Sequence, residues 1–288
     1  MELFMADISA IITRKSLKAK QRAAIRTVKV QAKEKIDQLK NGGFDNDDAP
    51  VMNREQRRAL REQRLAARLA YSAKMPREYT VGEDIFNSVS HGIGAGLSIA
   101  ALVLLLVRAV NYSVSSRLNI SIFACTLFGA SYFIMYILST LYHALNPYGA
   151  RRVFSVLTHD ALYFLIGGTF TPFFLLEIGS TAGWCWFAVV WGLVIALIAL
   201  YSSFGRKIRA FSIISYVVLG WALMLLFAVG SVGGLPHVSK VFLLTGGILY
   251  TVGSPFFFMP KYKWTHSIFH LFTLAGSVMH FFAVWYLF

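Results

Sequence analysis

Seven long apolar stretches occupy most of the chain from residue 85 onward and constrain its fold more than any other feature. Each is close to the ~20 residues with which an α-helix crosses a hydrocarbon core of roughly 30 Å. Short breaks rich in Gly, Pro, Asn and basic residues separate them. The sequence therefore predicts transmembrane helices at about 86–109, 119–144, 153–176, 182–204, 210–230, 238–259 and 265–288.

Composition supports a multi-pass membrane protein and excludes an ordinary soluble domain. Of the 288 residues, 56% are hydrophobic and only 15% are charged. The fold class that we predict is all-α, with a seven-helix membrane bundle over residues 81–288. The short loops predict that consecutive helices are antiparallel neighbours. We predict that residues 1–80 form a separate basic N-terminal extension.

The extension carries 18 of the 28 Lys and Arg residues. We expect two helices in it, over residues 14–40 and 52–74, joined by a polar linker. Its basic residues follow its short apolar start, which is the reverse of a secretory signal. Two interpretations remain open: an arm that binds anionic lipid headgroups, or a solvated tail that only sets topology. Nucleic-acid binding is not expected, because aromatic residues are not interleaved with the basic ones.

The positive charges of the loops predict the orientation of the bundle. With a cytoplasmic N-terminus, the outside loops carry only Arg108, Arg117 and Lys240. The inside loops then carry Arg151, Arg152, Arg206, Lys207, Arg209, Lys261 and Lys263. We therefore predict an integral protein of the plasma (inner) membrane, with its N-terminus in the cytoplasm and its C-terminus outside.

Polar residues of three predicted helices converge on one depth of the membrane. His266 and His270 are four residues apart, so a helix places both imidazoles on one face. His143 lies near the inner end of the second stretch with Ser139 one turn earlier, and Asp160 lies near the inner end of the third. At 1.5 Å per residue, all five lie within about 5–12 Å of the predicted inner boundary.

This layer suits a metal site. Three neutral imidazoles are the ligands of many catalytic zinc sites, which keep a fourth position for a water molecule. A metal lowers the pKa of such a water toward ~7 and makes it a usable nucleophile. In that case Asp160 accepts the proton of the water, and Ser139 hydrogen-bonds the water or a developing oxyanion. The alternative is a metal-free bundle in which Asp160 pairs with a histidine or with Arg152.

Four segments carry a family resemblance: 83–92 (EDIFNSVSHG), 139–143 (STLYH), 160–172 (DALYFLIGGTFTP) and 266–282 (HSIFHLFTLAGSVMHFF). In this order they resemble the hemolysin III group, the bacterial branch of the progestin and adiponectin receptor family. The resemblance covers residues 83–288 and leaves the extension out.

The resemblance implies a seven-helix membrane bundle with its N-terminus inside and a zinc ion near the inner face. It implies that the zinc ligands are His143, His266 and His270. It also implies that Asp160 holds a zinc-bound water and that Ser139 belongs to the same cluster.

The wider family includes lipid amidases, so the resemblance further implies a ceramidase-like zinc hydrolase that acts on a lipid amide or ester. Membrane lipids are then its partners. Two other functions stay open: a pore-forming or cytolytic protein, as the name of the group indicates, and a receptor-like regulator of membrane homeostasis with a structural zinc.

Four other histidines have different expectations. His91 is expected beside the metal site or as a helix cap. His159 is expected to be structural or interfacial, because it points away from the predicted metal-site face of its helix. His280 lies too deep for the same metal and is expected to make a polar contact between helices, and His237 is expected in an outside loop.

Overall fold

The structure is a computed structural model. It describes residue 30 and residues 54–74, 79–228, 234–259 and 262–288. The chain divides into two compact units, Met1–Ala66 and Ala67–Phe288. The predicted helix over 14–40 lies outside the described residues except for Val30, which is helical, and the predicted linker lies outside them too. The compositional boundary at residue 80 stays a prediction.

Helices make up nearly all of the described chain, and no β-strand occurs in it. They are α1 (Arg54–Lys74), α2 (Val81–Tyr112), α3 (Leu118–Ala144), α4 (Tyr148–Pro172), α5 (Ser180–Phe204), α6 (Arg209–Ala228), α7 (His237–Phe257) and α8 (Thr265–Trp285). Seven of them, α2 to α8, are long and apolar enough to cross a membrane. The predictions of an all-α fold and of seven transmembrane helices are confirmed. The cytoplasmic and outside assignments of the two termini stay predictions.

One carboxylate ties the start of α2 to the start of α8. Thr80 caps α2: its hydroxyl oxygen accepts from the Glu83 N–H at 3.3 Å, and the Glu83 carboxylate accepts from the Thr80 N–H at 2.9 Å. The other carboxylate oxygen accepts from the Trp264 N–H at 2.6 Å. Trp264 has a left-handed backbone directly before α8, with φ 67°. This bond therefore holds the turn from which α8 begins, two residues before His266.

Six of the described spanning helices pack side by side in a closed order. Helix α2 packs on α3, α3 on α4, α4 on α6, α6 on α7, α7 on α8, and α8 on α2. Helix α5 packs against α4. Short loops predicted that α5 and α6 would be packing neighbours, but α6 packs mainly on α4 and α7. Two side chains of α6 make the connection to α4: Ser215 lies 2.6 Å from the Tyr163 hydroxyl, and Tyr216 donates to the His159 carbonyl at 2.8 Å.

Two glycines allow α7 and α8 to approach closely. A Cβ at Gly246 would lie 3.0 Å from the carbonyl oxygen of Gly276 and closer still to the ring of His280. Small residues at such a contact let two backbones approach within a membrane. The contact brings α8, which carries two of the three clustered histidines, against α7.

Gly246→Ala is expected to destabilise the bundle by about 1–3 kcal/mol, because the added methyl group overlaps a backbone oxygen and a buried ring. Thermal unfolding in detergent measures the effect. Gly192→Ala is the matched control, since a Cβ there meets nothing within 4 Å. A Tm of Gly246→Ala equal to that of the control would show that α7 and α8 separate at no cost.

Candidate metal centre

Three buried histidines from two helices form one cluster. His143 is the penultimate residue of α3, and His266 and His270 lie one turn apart near the start of α8. One ligand nitrogen from each side chain lies within 4.8 Å of the other two. The Nε2 atoms of His266 and His270 are 3.1 Å apart. The structure thus brings together the three residues that the sequence singled out as metal ligands, and the cluster could hold a metal ion.

A carboxylate behind the cluster orients His143. The Nδ1 atom of His143 lies 3.1 Å from Oδ1 of Asp84. An ionised carboxylate only accepts hydrogen bonds, so Nδ1 carries the proton and Nε2 carries the lone pair that binds a metal. Arg151 donates to both oxygens of Asp84 at 2.7 and 2.9 Å. This two-pronged bond compensates the negative charge of Asp84 inside the protein.

Sequence reasoning missed the roles of Asp84, Arg151 and Tyr79. An acidic residue at the start of an apolar stretch is costly in a membrane, and this signal could have indicated that Asp84 has a buried partner. Its partner could not be named, because 67 residues separate Asp84 from Arg151 in the chain. Tyr79 stacks on the ring of His266 with centroids 4.7 Å apart, and nothing in its sequence context indicated this contact.

His91 and Ser139 lie directly beside the cluster. His91 stacks on His270 with ring centroids 3.5 Å apart. Thr273 donates its hydroxyl proton to the His270 carbonyl, so it can only accept from His91 Nε2 at 3.3 Å. Nδ1 of His91 is then the acceptor for the Ser139 hydroxyl at 2.7 Å. The structure places Ser139 on the same cavity as the three histidines, and its catalytic role stays a prediction.

Asp160 is not brought into the histidine cluster. Its Oδ2 accepts a hydrogen bond of 2.6 Å from Ser202 of α5. Its Oδ1 is buried and has no hydrogen-bond partner among the described residues. The preceding residues Thr158 and His159 line the cavity beside the three histidines. His159 also lies at a contact between helices, since its Nδ1 is 3.2 Å from the Tyr216 hydroxyl of α6. Asp160 is not among the residues that line this cavity. The role of Asp160 in holding a water stays a prediction.

Two adjoining cavities lie near the cluster, and one of them is lined by it. The smaller, of about 50 Å³, is lined by the three histidines together with Arg209. The larger, of about 110 Å³, lies between α4, α6, α7 and α8 and has a mainly apolar lining. The residues that line both cavities are His159, Leu162, Phe257, Phe269 and Thr273. An apolar space suited to a hydrocarbon chain therefore adjoins the histidine-lined space.

The donor set fits a metal ion. Nitrogens around a tetrahedral zinc lie ~3.3 Å apart, since each Zn–N distance is ~2.0–2.1 Å. The 3.1 Å between the Nε2 atoms of His266 and His270 is close to that separation. Two imidazole nitrogens at this distance share either a proton or a cation. A nitrogen of His143 lies within 4.8 Å of the ligand nitrogens of His266 and His270. Imidazole donors suit zinc, copper, iron and nickel better than calcium or magnesium.

His280 makes the polar contact between helices that was expected, whereas His237 lies in a helix and not in a loop. His280 Nδ1 lies 3.3 Å from the Tyr132 hydroxyl, and Nε2 lies 3.2 Å from the Leu243 carbonyl oxygen, so this ring bridges α8 to α3 and α7. His237 is exposed at the first position of α7. Neither side chain belongs to the three-histidine cluster.

Comparison with known proteins shows the family. A sequence profile of the family described as "Haemolysin-III related" matches residues 79–281. The chain belongs to this family. This family member is 38% identical over 204 residues to Hemolysin-3 of Bacillus cereus. The aligned region covers 71% of the chain and 91% of the relative. It is 37% identical over 206 residues to the Hemolysin-3 homolog of Bacillus subtilis (strain 168), which covers 72% of the chain and 94% of the relative.

The resemblance to hemolysin III that the motifs predicted is confirmed. Family membership and the seven apolar helices support a multi-pass integral membrane protein of the plasma membrane. All three clustered histidines fall inside the matched region, whereas the first 78 residues precede it. The candidate metal centre thus lies in the part of the chain that is similar to the relatives.

Proposed function

We propose that this hemolysin III family protein is a zinc-dependent hydrolase that cleaves an amide or ester bond of a membrane lipid. The observation that carries the proposal is a buried three-histidine cluster beside an apolar cavity, inside a bundle of membrane-spanning helices. Ionisable groups within a membrane are costly and usually mark function. A lipid is the substrate that such a site can receive without leaving the bilayer.

The three histidines hold the zinc ion in this proposal. When bound, the ion supplies a Lewis acid for the scissile carbonyl and a nucleophile from water near neutral pH. Asp84 keeps His143 in the tautomer that binds a metal. Because the proton of Ser139 points to His91, the oxygen lone pairs of Ser139 remain to accept a hydrogen bond from a water in the cavity.

The two cavities give the substrate its orientation. The hydrocarbon chain occupies the apolar cavity between α4, α6, α7 and α8, and the scissile group lies in the smaller cavity beside the histidines. Arg209 lines the smaller cavity with its guanidinium 4.5 Å from the centre of the Phe257 ring. A guanidinium in that position suits a carbonyl or an anionic group of the lipid.

We assign proton transfer to Asp160. Its buried Oδ1 has no hydrogen-bond partner among the described residues, which favours a group that accepts a proton during turnover. Oδ2 is held by Ser202 on α5. His159 is the competing proton acceptor, since it lines the cavity and Asp160 does not.

Asp160→Asn is expected to lower turnover of a lipid amide or ester by about 10²-fold or more, since general acid–base catalysis contributes about 10²–10⁴-fold. Turnover is measured with zinc-loaded protein in proteoliposomes that contain ceramide-type and ester substrates. The metal content per chain is expected to stay that of the wild type, because Asp160 is not a member of the histidine cluster.

Two further variants separate the assignments. Ser202→Ala leaves the carboxylate in place and is expected to retain most of the turnover. A large loss of turnover in His159→Gln, together with wild-type turnover in Asp160→Asn, would assign the proton-transfer role to His159 instead. A zinc-loaded wild type that hydrolyses none of the amides and esters would contradict the hydrolase proposal itself.

A second candidate is a pore-forming or cytolytic protein, which the name of the relatives, Hemolysin-3, favours. In that function a metal ion would only join α3 to α8 through the three histidines. Release of a trapped dye from liposomes tests it. Release at the same rate by wild type and Asp160→Asn, without lipid hydrolysis, would favour the pore over the hydrolase.

A further inference from the structure

One face of helix α1 is made of arginine. At ~100° per residue, five arginines fall within an arc of about 120° around the helix axis. They are Arg54, Arg57, Arg58, Arg61 and Arg64, and all five are exposed. We name these five residues the arginine face. The other side of the same turns carries Gln56, Ala59, Gln63 and Ala66.

An exposed leucine lies within the arginine face. Leu65 falls inside the same arc and is 57% exposed. Residues 54–66 contain no aromatic side chain. Arginines interspersed with an apolar side chain suit the boundary between headgroups and acyl chains, whereas single-stranded nucleic acid is usually bound by basic residues together with aromatic ones.

The segment that carries this face has an excess of positive charge, since residues 54–66 hold five arginines against two glutamates. The described salt bridge of the helix joins Arg58 to Glu62 at 3.1 Å, with both side chains well exposed. Such a pair is weak in water, so it does not prevent Arg58 from contacting an anionic partner. A guanidinium binds a phosphate with two parallel hydrogen bonds, so arginine is better suited to phosphate binding than the ammonium group of lysine.

We propose that the arginine face binds the anionic headgroups of the lipid membrane that the bundle spans, with Leu65 between them. Charge complementarity selects the partner, because the phosphates of anionic lipids are the negative surface next to every membrane-spanning chain. In the sequence, only residues 75–80 link α1 to the first spanning helix, so the lipid surface is at high effective concentration. This interaction is independent of the proposed hydrolase activity.

Protease protection of the full chain tests the proposal. The protein is reconstituted in nanodiscs of phosphatidylcholine, or of phosphatidylcholine with about one-third phosphatidylglycerol. A glutamate-specific protease cleaves α1 after Glu55 and Glu62, and mass spectrometry follows the rate of cleavage at each of these two sites. We expect cleavage to be slower by about 10-fold or more in the anionic discs, since each arginine near an anionic surface contributes about 5-fold in affinity. High salt should remove the protection.

Two variants with the same change in net charge locate the effect. The test variant combines Arg54→Gln, Arg57→Gln, Arg61→Gln and Arg64→Gln, and glutamine keeps a helix propensity close to that of arginine. The control variant combines Arg14→Gln, Lys15→Gln, Lys18→Gln and Lys20→Gln. We expect the test variant to lose the protection and the control variant to keep it.

Three results would overturn the proposal. Equal cleavage of the wild type in both kinds of disc would show that the arginine face does not contact lipid. Equal loss of protection in both variants would assign the effect to total charge and not to this face. An RNA oligonucleotide that protects α1 in phosphatidylcholine discs as strongly as anionic lipid does would make nucleic acid the partner.

Discussion

Replacing any one of His143, His266 and His270 with alanine is expected to abolish stoichiometric metal binding. The wild type is expected to bind close to one zinc ion per chain. The three nitrogens lie within 4.8 Å of one another, and no other group of three potential ligands with this geometry occurs among the described residues. Removing one leaves two donors, too few for a stable zinc site. Metal content is measured by mass spectrometry on detergent-purified protein.

Two variants act as controls for this experiment. His280→Ala removes another buried histidine that bonds to Tyr132 and Leu243 outside the cluster, so it should keep the metal. Asp160→Asn should keep it too, because the Asp160 carboxylate bonds to Ser202. Folded wild-type protein without any metal would remove the hydrolase mechanism and leave the histidines as packing groups.

The second large effect is expected from Asp84→Asn. The carboxylate of Asp84 holds the proton of His143 on Nδ1 and so directs Nε2 toward the other two histidines. Partners of this kind typically contribute about 10–100-fold to metal affinity. An asparagine can present its NH2 group to the ring and thereby favour the wrong tautomer. We therefore expect zinc affinity, measured by competition with a chromogenic chelator, to fall by about 10–100-fold.

A double variant separates the effect on His143 from the effect on Arg151. Asp84→Asn leaves the guanidinium of Arg151 without the carboxylate that it binds through two hydrogen bonds, which is costly in a buried position. Asp84→Asn with Arg151→Met removes both charges. If zinc binding stays weak in the folded double variant, the loss of affinity comes from the lost orientation of His143. Wild-type zinc affinity in the double variant would assign the loss to the uncompensated arginine alone.

The seven spanning helices and the convergence of the three histidines were predictable because both depend on short-range features of the chain. A stretch of ~20 apolar residues must form a helix in lipid, since its backbone groups have no other hydrogen-bond partners there. The four-residue spacing of His266 and His270 sets both on one face of α8. Distance from the charged loops then predicts which polar residues share a layer with His143.

Rotation of each helix about its axis was not predictable from these features. Asp160 lies on the predicted helix, yet its side chain turns to Ser202 of α5, and His159 lines the cavity with the three histidines. Apolar residues cover most of α4 on all sides, so no hydrophobic periodicity indicates which face points inward. Its face is set by its contacts with α3, α5 and α6.

The sequence by itself determined that this is a seven-helix membrane protein of the hemolysin III family with three histidines at one depth. It could do so because hydropathy and loop charge act locally along the chain. Only the tertiary structure decided that Asp84 supports His143, that α6 packs on α4 rather than α5, and that an apolar cavity adjoins the cluster. These features depend on side-chain contacts between helices. The hydrophobic effect does not direct such contacts in a membrane, because lipid tails are as apolar as the apolar side chains of the helices.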